Sequence, residues 1–183
     1  MIVELICVGT ELLLGNIVNT NAAYLSEKCA EAGLSCFYQT VVGDNEKRLA
    51  ETVKTAMSRA DILILSGGLG PTQDDLTKEV VADLLKLRLI MDDDSKDRIQ
   101  EIFEKRNLEI TVSNWKQALV PEGCIVLTNE NGTAPGIIVK EGDKSIILLP
   151  GPPNELVPMF EEKVVPYLKT LETSVIYSRT VKI

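Results

Sequence analysis

The chain has no histidine. Imidazole is therefore unavailable as general base, as partner to a nucleophile or as metal ligand. The four cysteines, Cys7, Cys29, Cys36 and Cys124, include no C-x-x-C pair. Cys7 and Cys124 sit in apolar strand-like runs and read as buried structural thiols. A zinc site needs nitrogen and sulfur ligands at close spacing, so the composition argues against one. Any metal would be held by oxygens, the donor set of Mg²⁺, Mn²⁺ and similar ions. Lysine and arginine are also scarce, 19 against 27 aspartates and glutamates, for a formal net charge of −8. That balance argues against nucleic acid as the main partner, since phosphate backbones are bound by clustered Lys and Arg. It leaves room for a small anionic ligand held by backbone amides and a metal. No apolar run reaches membrane-spanning length, so no membrane partner is expected. The opening MIVELICVG is short, lacks basic residues and carries Glu4, so it reads as a first strand rather than an export signal. Asn131-Gly132-Thr133 matches a glycosylation acceptor, a pattern common by chance, and nothing else points to secretion. The expected location is the cytoplasm.

What is present is an ordinary globular mix. The chain has 183 residues, 45% hydrophobic and 25% charged, enough for one domain with a sizeable core. Strand and helix signals alternate through the first half. Ile2–Val8 reads as a strand. NTNAAYLSEKCAEAG reads as a helix capped by Asn19 or Thr20. LSCFYQTVV is a strand, EKRLAETVKTAM a helix and DILILS a strand buried on both faces. After a glycine loop, Leu76, Val80, Val81, Leu84 and Leu85 recur at helical spacing. This rhythm predicts a mostly parallel sheet with helices on both faces. The middle is less regular. DDDSKDRIQEIFEKRN reads as a charged helix and TVSNWKQALVPEG as a short helix ended by Pro121; together they suggest a subdomain over the sheet edge. CIVLT, GIIVK and SIILLP read as three strands. The turn Glu141-Gly142-Asp143 makes the last two an antiparallel hairpin, so the sheet is mixed. NELVPMFEEKVVPYLKTL is a long helix, with Pro166 expected to kink or end it. Residues 1–171 are read as one domain. SVIYSRTVKI is a final strand, and 172–183 reads as the start of a further domain absent from this sequence.

Four loops carry candidate chemistry. In SGGLGPTQDDLT, Ser66, Gly67, Gly68 and Gly70 follow a buried strand and precede a helix, where open α/β sheets bind ligands. Glycines there let the backbone approach a ligand, and helix N-termini offer free N–H groups. The loop is neither a P-loop nor G-x-G-x-x-G. Two readings stand for Thr72, Asp74 and Asp75. They cap the helix, or the two aspartates hold a divalent cation that bridges to phosphate. Thr77 adds a hydroxyl one turn on. In LLPGPPNE, Gly151, Pro152 and Glu155 form a second loop at a strand's carboxyl end. In NENGTAPG, Asn131, Gly132 and Thr133 form a loop able to face a ligand. In GTELLLGNIVNTN, Glu11 is a candidate carboxylate and Asn19 or Asn21 a polar contact. Each loop also has a plain structural explanation as a turn or cap. Lys144 is the base nearest these loops in sequence, but it begins the strand that ends at Pro150, so geometry alone places it doubtfully.

Taken in order, GTELLLGNIVNTN, GGLGPTQDDLT, NENGTAPG and LLPGPPNE, with NWKQALVPEG between the second and third, resemble the N-terminal domain of the CinA (competence-damage-inducible) family. That domain has the molybdopterin-binding fold shared with molybdopterin adenylyltransferases, and the match covers nearly the whole chain. The resemblance implies a three-layer α/β/α sandwich with a mostly parallel mixed sheet. It implies either a pterin or nucleotide ligand, bound without hydrolysis or in an adenylyl transfer, or a pyrophosphatase cleaving ADP-ribose to AMP and ribose 5-phosphate with Mg²⁺, Mn²⁺ or Co²⁺. By motif, Gly67, Gly68, Gly70 and Thr72 would hold a pyrophosphate, and Asp74 and Asp75 a metal or the attacking water. Lys144 would balance phosphate charge. The fold family often forms dimers or trimers, so a homo-oligomer is expected.

Overall fold

A computed structural model describes residues 1–171, and the strand expected over 174–183 lies outside them. The chain runs β1 (Ile2–Val8), a one-turn α1 (Thr10–Leu13), α2 (Thr20–Glu31), β2 (Ser35–Val42), α3 (Glu46–Met57), β3 (Ile62–Ser66) and α4 (Thr77–Leu84). Then come β4 (Leu89–Met91), α5 (Asp93–Lys105), α6 (Val112–Trp115), β5 (Leu119–Pro121), β6 (Ile125–Leu127), β7 (Gly136–Glu141), β8 (Lys144–Leu149), α7 (Pro153–Met159) and α8 (Val165–Leu171). The main sheet has the order β2-β1-β3-β8-β7-β6. β2, β1, β3 and β8 are parallel, and β7 runs antiparallel to both β8 and β6. The expected hairpin is present, with Glu141 opposite Lys144.

Alternation along the strands sends side chains to two cores. Val3, Leu5, Ile62 and Ile64 pack with Leu25, Cys29, Phe160 and Leu168 of α2 and the last helix. Ile6, Leu63 and Leu65 pack with Leu49, Val53, Val80 and Val81 of α3 and α4. A period-two strand buried on both faces needs a helical layer on each side, and the three-layer sandwich follows. Asn19 and Asn45 cap α2 and α3 by accepting from the amides of Ala22 and Arg48. One acid enters the sheet: Glu4 is fully buried and meets Arg59 through two bonds of 2.8 Å. Arg59 in turn stacks 3.7 Å from the Tyr38 ring centroid.

Three expectations need correction. TVSNWKQALVPEG is not one helix: α6 passes through a 3₁₀ turn, Lys116–Ala118, into β5. β5 pairs antiparallel with β4, a strand the sequence did not announce. Three-residue strands are too short to show a period, so only pairing reveals them. The final helix neither ends nor breaks before Pro166. A π turn, Phe160–Val164, joins α7 to α8, and Pro166 falls in the first turn of α8. Cys124 is half-buried rather than buried, though burial, then the Asp92 charge, still push its thiol up to about 11. No helix among the described residues is long and apolar enough to cross a membrane.

Phe160 is fully buried where α7 meets the sheet and packs edge-on against Tyr24 with centroids 6.1 Å apart. Phe160→Ala should lower unfolding free energy by about 3–5 kcal/mol. Urea titration followed by circular dichroism measures it; a loss under about 1 kcal/mol would contradict this packing.

Candidate functional site

The carboxyl ends of β1, β3 and β8 open into a crevice of about 660 Å³. Because β3 and β8 are neighbours, the loops that follow them lie side by side. Gly67 takes φ +99°, and a Cβ there would fall 2.3 Å from the Val8 carbonyl oxygen. Gly68 takes φ +69°, and its Cβ would fall 2.2 Å from Thr77 Oγ1. Only glycine fits either place. The Gly67 amide donates to the Leu149 carbonyl at 3.0 Å, which joins this loop to the base of the Pro-Gly-Pro-Pro loop. The amides of Gly68, Leu69 and Gly70 meet no protein acceptor among the described residues.

Thr77 is fully buried, its hydroxyl donating to the Gly67 carbonyl at 2.8 Å and its amide to the Gly68 carbonyl at 3.1 Å. It pegs the loop from below and does not line the crevice. Capping does not explain the aspartates. α4 begins at Thr77, its N-cap is Leu76, and no side chain caps it. Asp75 Oδ2 instead accepts from the Thr72 amide at 2.9 Å and the Thr72 hydroxyl at 2.6 Å, closing the turn between them. Asp74 is exposed, lines the crevice and has no hydrogen-bond partner among the described residues.

The opposite wall comes from α7 and the loop before β7. Pro158 has no N–H to give the Asn154 carbonyl one turn back; Asn131 Nδ2 donates there instead, at 2.9 Å. Asn131 is thereby a tie between two walls. Asn129, buried, donates to Glu155 Oε2 at 2.7 Å and to the Ala134 carbonyl at 2.8 Å. Gly132 leaves room for that same carboxylate, since a Cβ would fall 2.1 Å from it. Thr133 lines the crevice and donates to Gln117 Oε1 at 3.0 Å. Asn21 reaches across to the Gly151 carbonyl at 2.7 Å. Glu11, Ser66, Gly67, Gly68, Gly70, Thr72, Asp74, Asp75, Thr133, Gly151, Pro152 and Glu155 all face one space.

Lys144 does not. It starts β8 at the far end of the sheet, where its Nζ donates to the Ala60 carbonyl at 2.7 Å. The lysine beside the acidic turn is Lys116, from the NWKQA segment. Sequence reading also passed over Gln117 and Asp44, both in the lining, and Lys78. NWKQA held the signal for Lys116 and Gln117; nothing local marked Asp44, which accepts from Thr10 at 2.8 Å and 2.7 Å.

Among the described residues the lining carries five carboxylates, Glu11, Asp44, Asp74, Asp75 and Glu155, and no lysine or arginine. Among the described residues no three metal-ligating side chains are gathered as a ready cage. The donor set still suits Mg²⁺ or Mn²⁺, which commonly take one or two carboxylates and complete their shell from phosphate and water. Asp74 and Glu11 are the lining carboxylates with no hydrogen-bond partner among the described residues, and so are free to serve.

Comparison with known proteins agrees with this fold. The family model described as "Probable molybdopterin binding domain" matches residues 4–170. A MoaB molybdopterin biosynthesis enzyme from Thermus thermophilus superposes with a TM-score of 0.61 at 18% identity, covering 93% of this chain and 95% of its own, which shows the fold alone. The CinA protein of Thermoplasma acidophilum, solved with its function unknown, superposes with a TM-score of 0.81 at 34% identity, covering 90% of this chain and 97% of its own. The chain belongs to the molybdopterin-binding domain family. Within it the relatives are CinA-like: a CinA-like protein of Dictyoglomus turgidum is 52% identical over 180 residues, 98% of this chain. That stretch is 44% of the Dictyoglomus protein, so the chain spans less than half the length of the curated relatives it matches.

Lys78 supplies a pH test of this architecture. It is 2% exposed, and its ammonium donates to the Lys116 carbonyl. Burial, together with the Lys116 charge, lowers it from 10.5 to about 8 against the opposing pull of Glu79 and Asp75. Between those values the unfolded chain holds the proton and the folded chain does not, so the Lys78 contribution to stability rises with pH. Urea midpoints taken from pH 7.5 to 10 should climb more steeply for wild type than for Lys78→Met. Parallel profiles would place Lys78 in water.

Proposed function

We propose that the crevice binds an anionic ligand joining a flat heterocycle to one or more phosphates, a pterin or a nucleotide, together with a divalent cation. The observation that carries this is the pairing of free amides at Gly68, Leu69 and Gly70 with an acidic wall that, among the described residues, contains no cationic side chain. Amides take part of a phosphate's charge. Five carboxylates would repel the rest unless a Mg²⁺, Mn²⁺ or Co²⁺ ion stood between, so ligand and metal should bind together. Leu12, Ile17 and Val18 form the apolar end of the same space, and Val18 is 82% exposed there. That end suits a ring, and the amide end suits phosphate. Molybdopterin, the ligand in the family's description, has this two-ended chemistry, as does ADP-ribose.

Calorimetric titration with ADP-ribose should give binding with Mn²⁺ present and little without it. Asp74→Ala should weaken the Mn²⁺-dependent binding about tenfold or more. Ile17→Ser with Val18→Ser should weaken ADP-ribose but leave pyrophosphate unchanged. Metal-independent binding would remove the cation from this reading.

Hydrolysis of ADP-ribose to AMP and ribose 5-phosphate is a second reading, favoured by the unpartnered carboxylate of Asp74. The cation would stabilise charge on the phosphorus oxygens. Asp74 would orient or deprotonate the attacking water, since no histidine exists to do so. AMP release that disappears in Asp74→Asn supports it, and binding without product under Mg²⁺, Mn²⁺ and Co²⁺ leaves the binding role alone. A dimer or trimer is proposed on the family's habit, and sedimentation velocity decides it.

A further inference from the structure

The acidic turn is held from behind by a side chain that binding does not use. Lys116 stands on the 3₁₀ turn after α6. Its Nζ donates to the Thr72 carbonyl at 2.9 Å and to the Asp75 carbonyl, and lies 3.6 Å from Glu79 Oε1. Those two carbonyls flank Gln73 and Asp74, so one ammonium spans the base of the turn. The grip is returned, because Lys78 on α4 donates to the Lys116 carbonyl. Two segments far apart in sequence thus interlock, each holding the other's backbone.

This arrangement is electrostatically expensive. Two ammonium groups lie close together, and the charges facing them are Asp75 and Glu79. Glu79 Oε2 is buried with no partner among the described residues. A link needed only for cohesion is met as well by apolar packing. A lysine spent on carbonyls also cannot neutralise a ligand phosphate, which is consistent with its absence from the crevice lining. What the ammonium does uniquely is fix the separation of two carbonyls, and with it the direction in which the turn projects Asp74. The same turn continues directly from Gly70, whose Cα faces the Asp75 carboxylate, so the free amides are set by it too.

We propose that Lys116 is a positioning residue: it sets the shape of the Thr72–Asp75 turn and thereby the aim of Asp74 and of the Gly68–Gly70 amides at the ligand. The aim, though not the clasp itself, rests on the binding role given above.

Amide hydrogen exchange on the full chain tests the clasp without any ligand. In Lys116→Met, exchange within 70–76, read at the hydrogen-bonded Thr72 amide, should quicken about tenfold while β1 and β3 stay protected as in wild type. Lys116→Arg keeps a cationic donor and should restore most of the protection. Lys78→Met should loosen the same residues to a smaller degree, and it decides the matter if Lys116→Met does not fold. Titration with Mn²⁺ and ADP-ribose should then fall about tenfold in Lys116→Met and recover in Lys116→Arg. Unchanged exchange over 70–76 overturns the proposal. So does a loosened turn with undiminished affinity. If wild type binds neither Mn²⁺ nor ADP-ribose, the binding role fails, and the exchange pattern alone upholds or overturns the clasp.

Discussion

Everything at the crevice depends on backbone meeting backbone without an intervening side chain. β1, β3 and β8 are adjacent and end together, and the chain leaving β3 must pass directly over the Val8 carbonyl. Gly67 permits that passage, Gly68 permits the next step over Thr77, and Gly151 brings the neighbouring loop within van der Waals reach of Gly67. A methyl group at either of the first two would force the loop outward. The unpaired amides of Gly68–Gly70 would then move with it.

The electrostatics of the site divide by depth. In front, the only charged side chains in the lining, among the described residues, are carboxylates. Behind, Lys116 and Lys78 are committed to carbonyl groups, and Glu79 lies 3.6 Å from the Lys116 ammonium. Cations are therefore near the site yet withheld from the ligand.

The sheet and its helices were legible because their signals are periodic. Ile62–Ser66 and Thr20–Glu31 follow from burial patterns alone. The glycine loop was legible because its residue types have few other uses. Three things were hidden for definite reasons. The β4–β5 ribbon is too short to repeat. The role of Asp75 lies in the four-residue turn Thr72–Asp75, which in sequence looks the same as a helix cap. Lys144 and Lys116 could be told apart only by which end of the sheet each occupies, and that is a property of topology. Pro158 is the instructive case: its missing N–H was visible in the sequence, but not that Asn131 would take up the orphaned carbonyl.

The β4–β5 ribbon has a consequence for how the chain tolerates change. Leu89 pairs with Pro121 and Met91 with Leu119, so the excursion carrying α5 and α6 leaves and returns at one point. Its outer bend, around Asn107 to Ile110, joins α5 to α6 away from the sheet. Closing a longer loop there costs little, because closure entropy grows slowly with length. The same excursion returns through Lys116 and Gln117, which touch the acidic turn and the Thr133 loop. Relatives should therefore vary freely in length at the outer bend and hardly at all over residues 114–121. The boundary between those two regimes marks where an inserted lobe becomes part of the crevice wall.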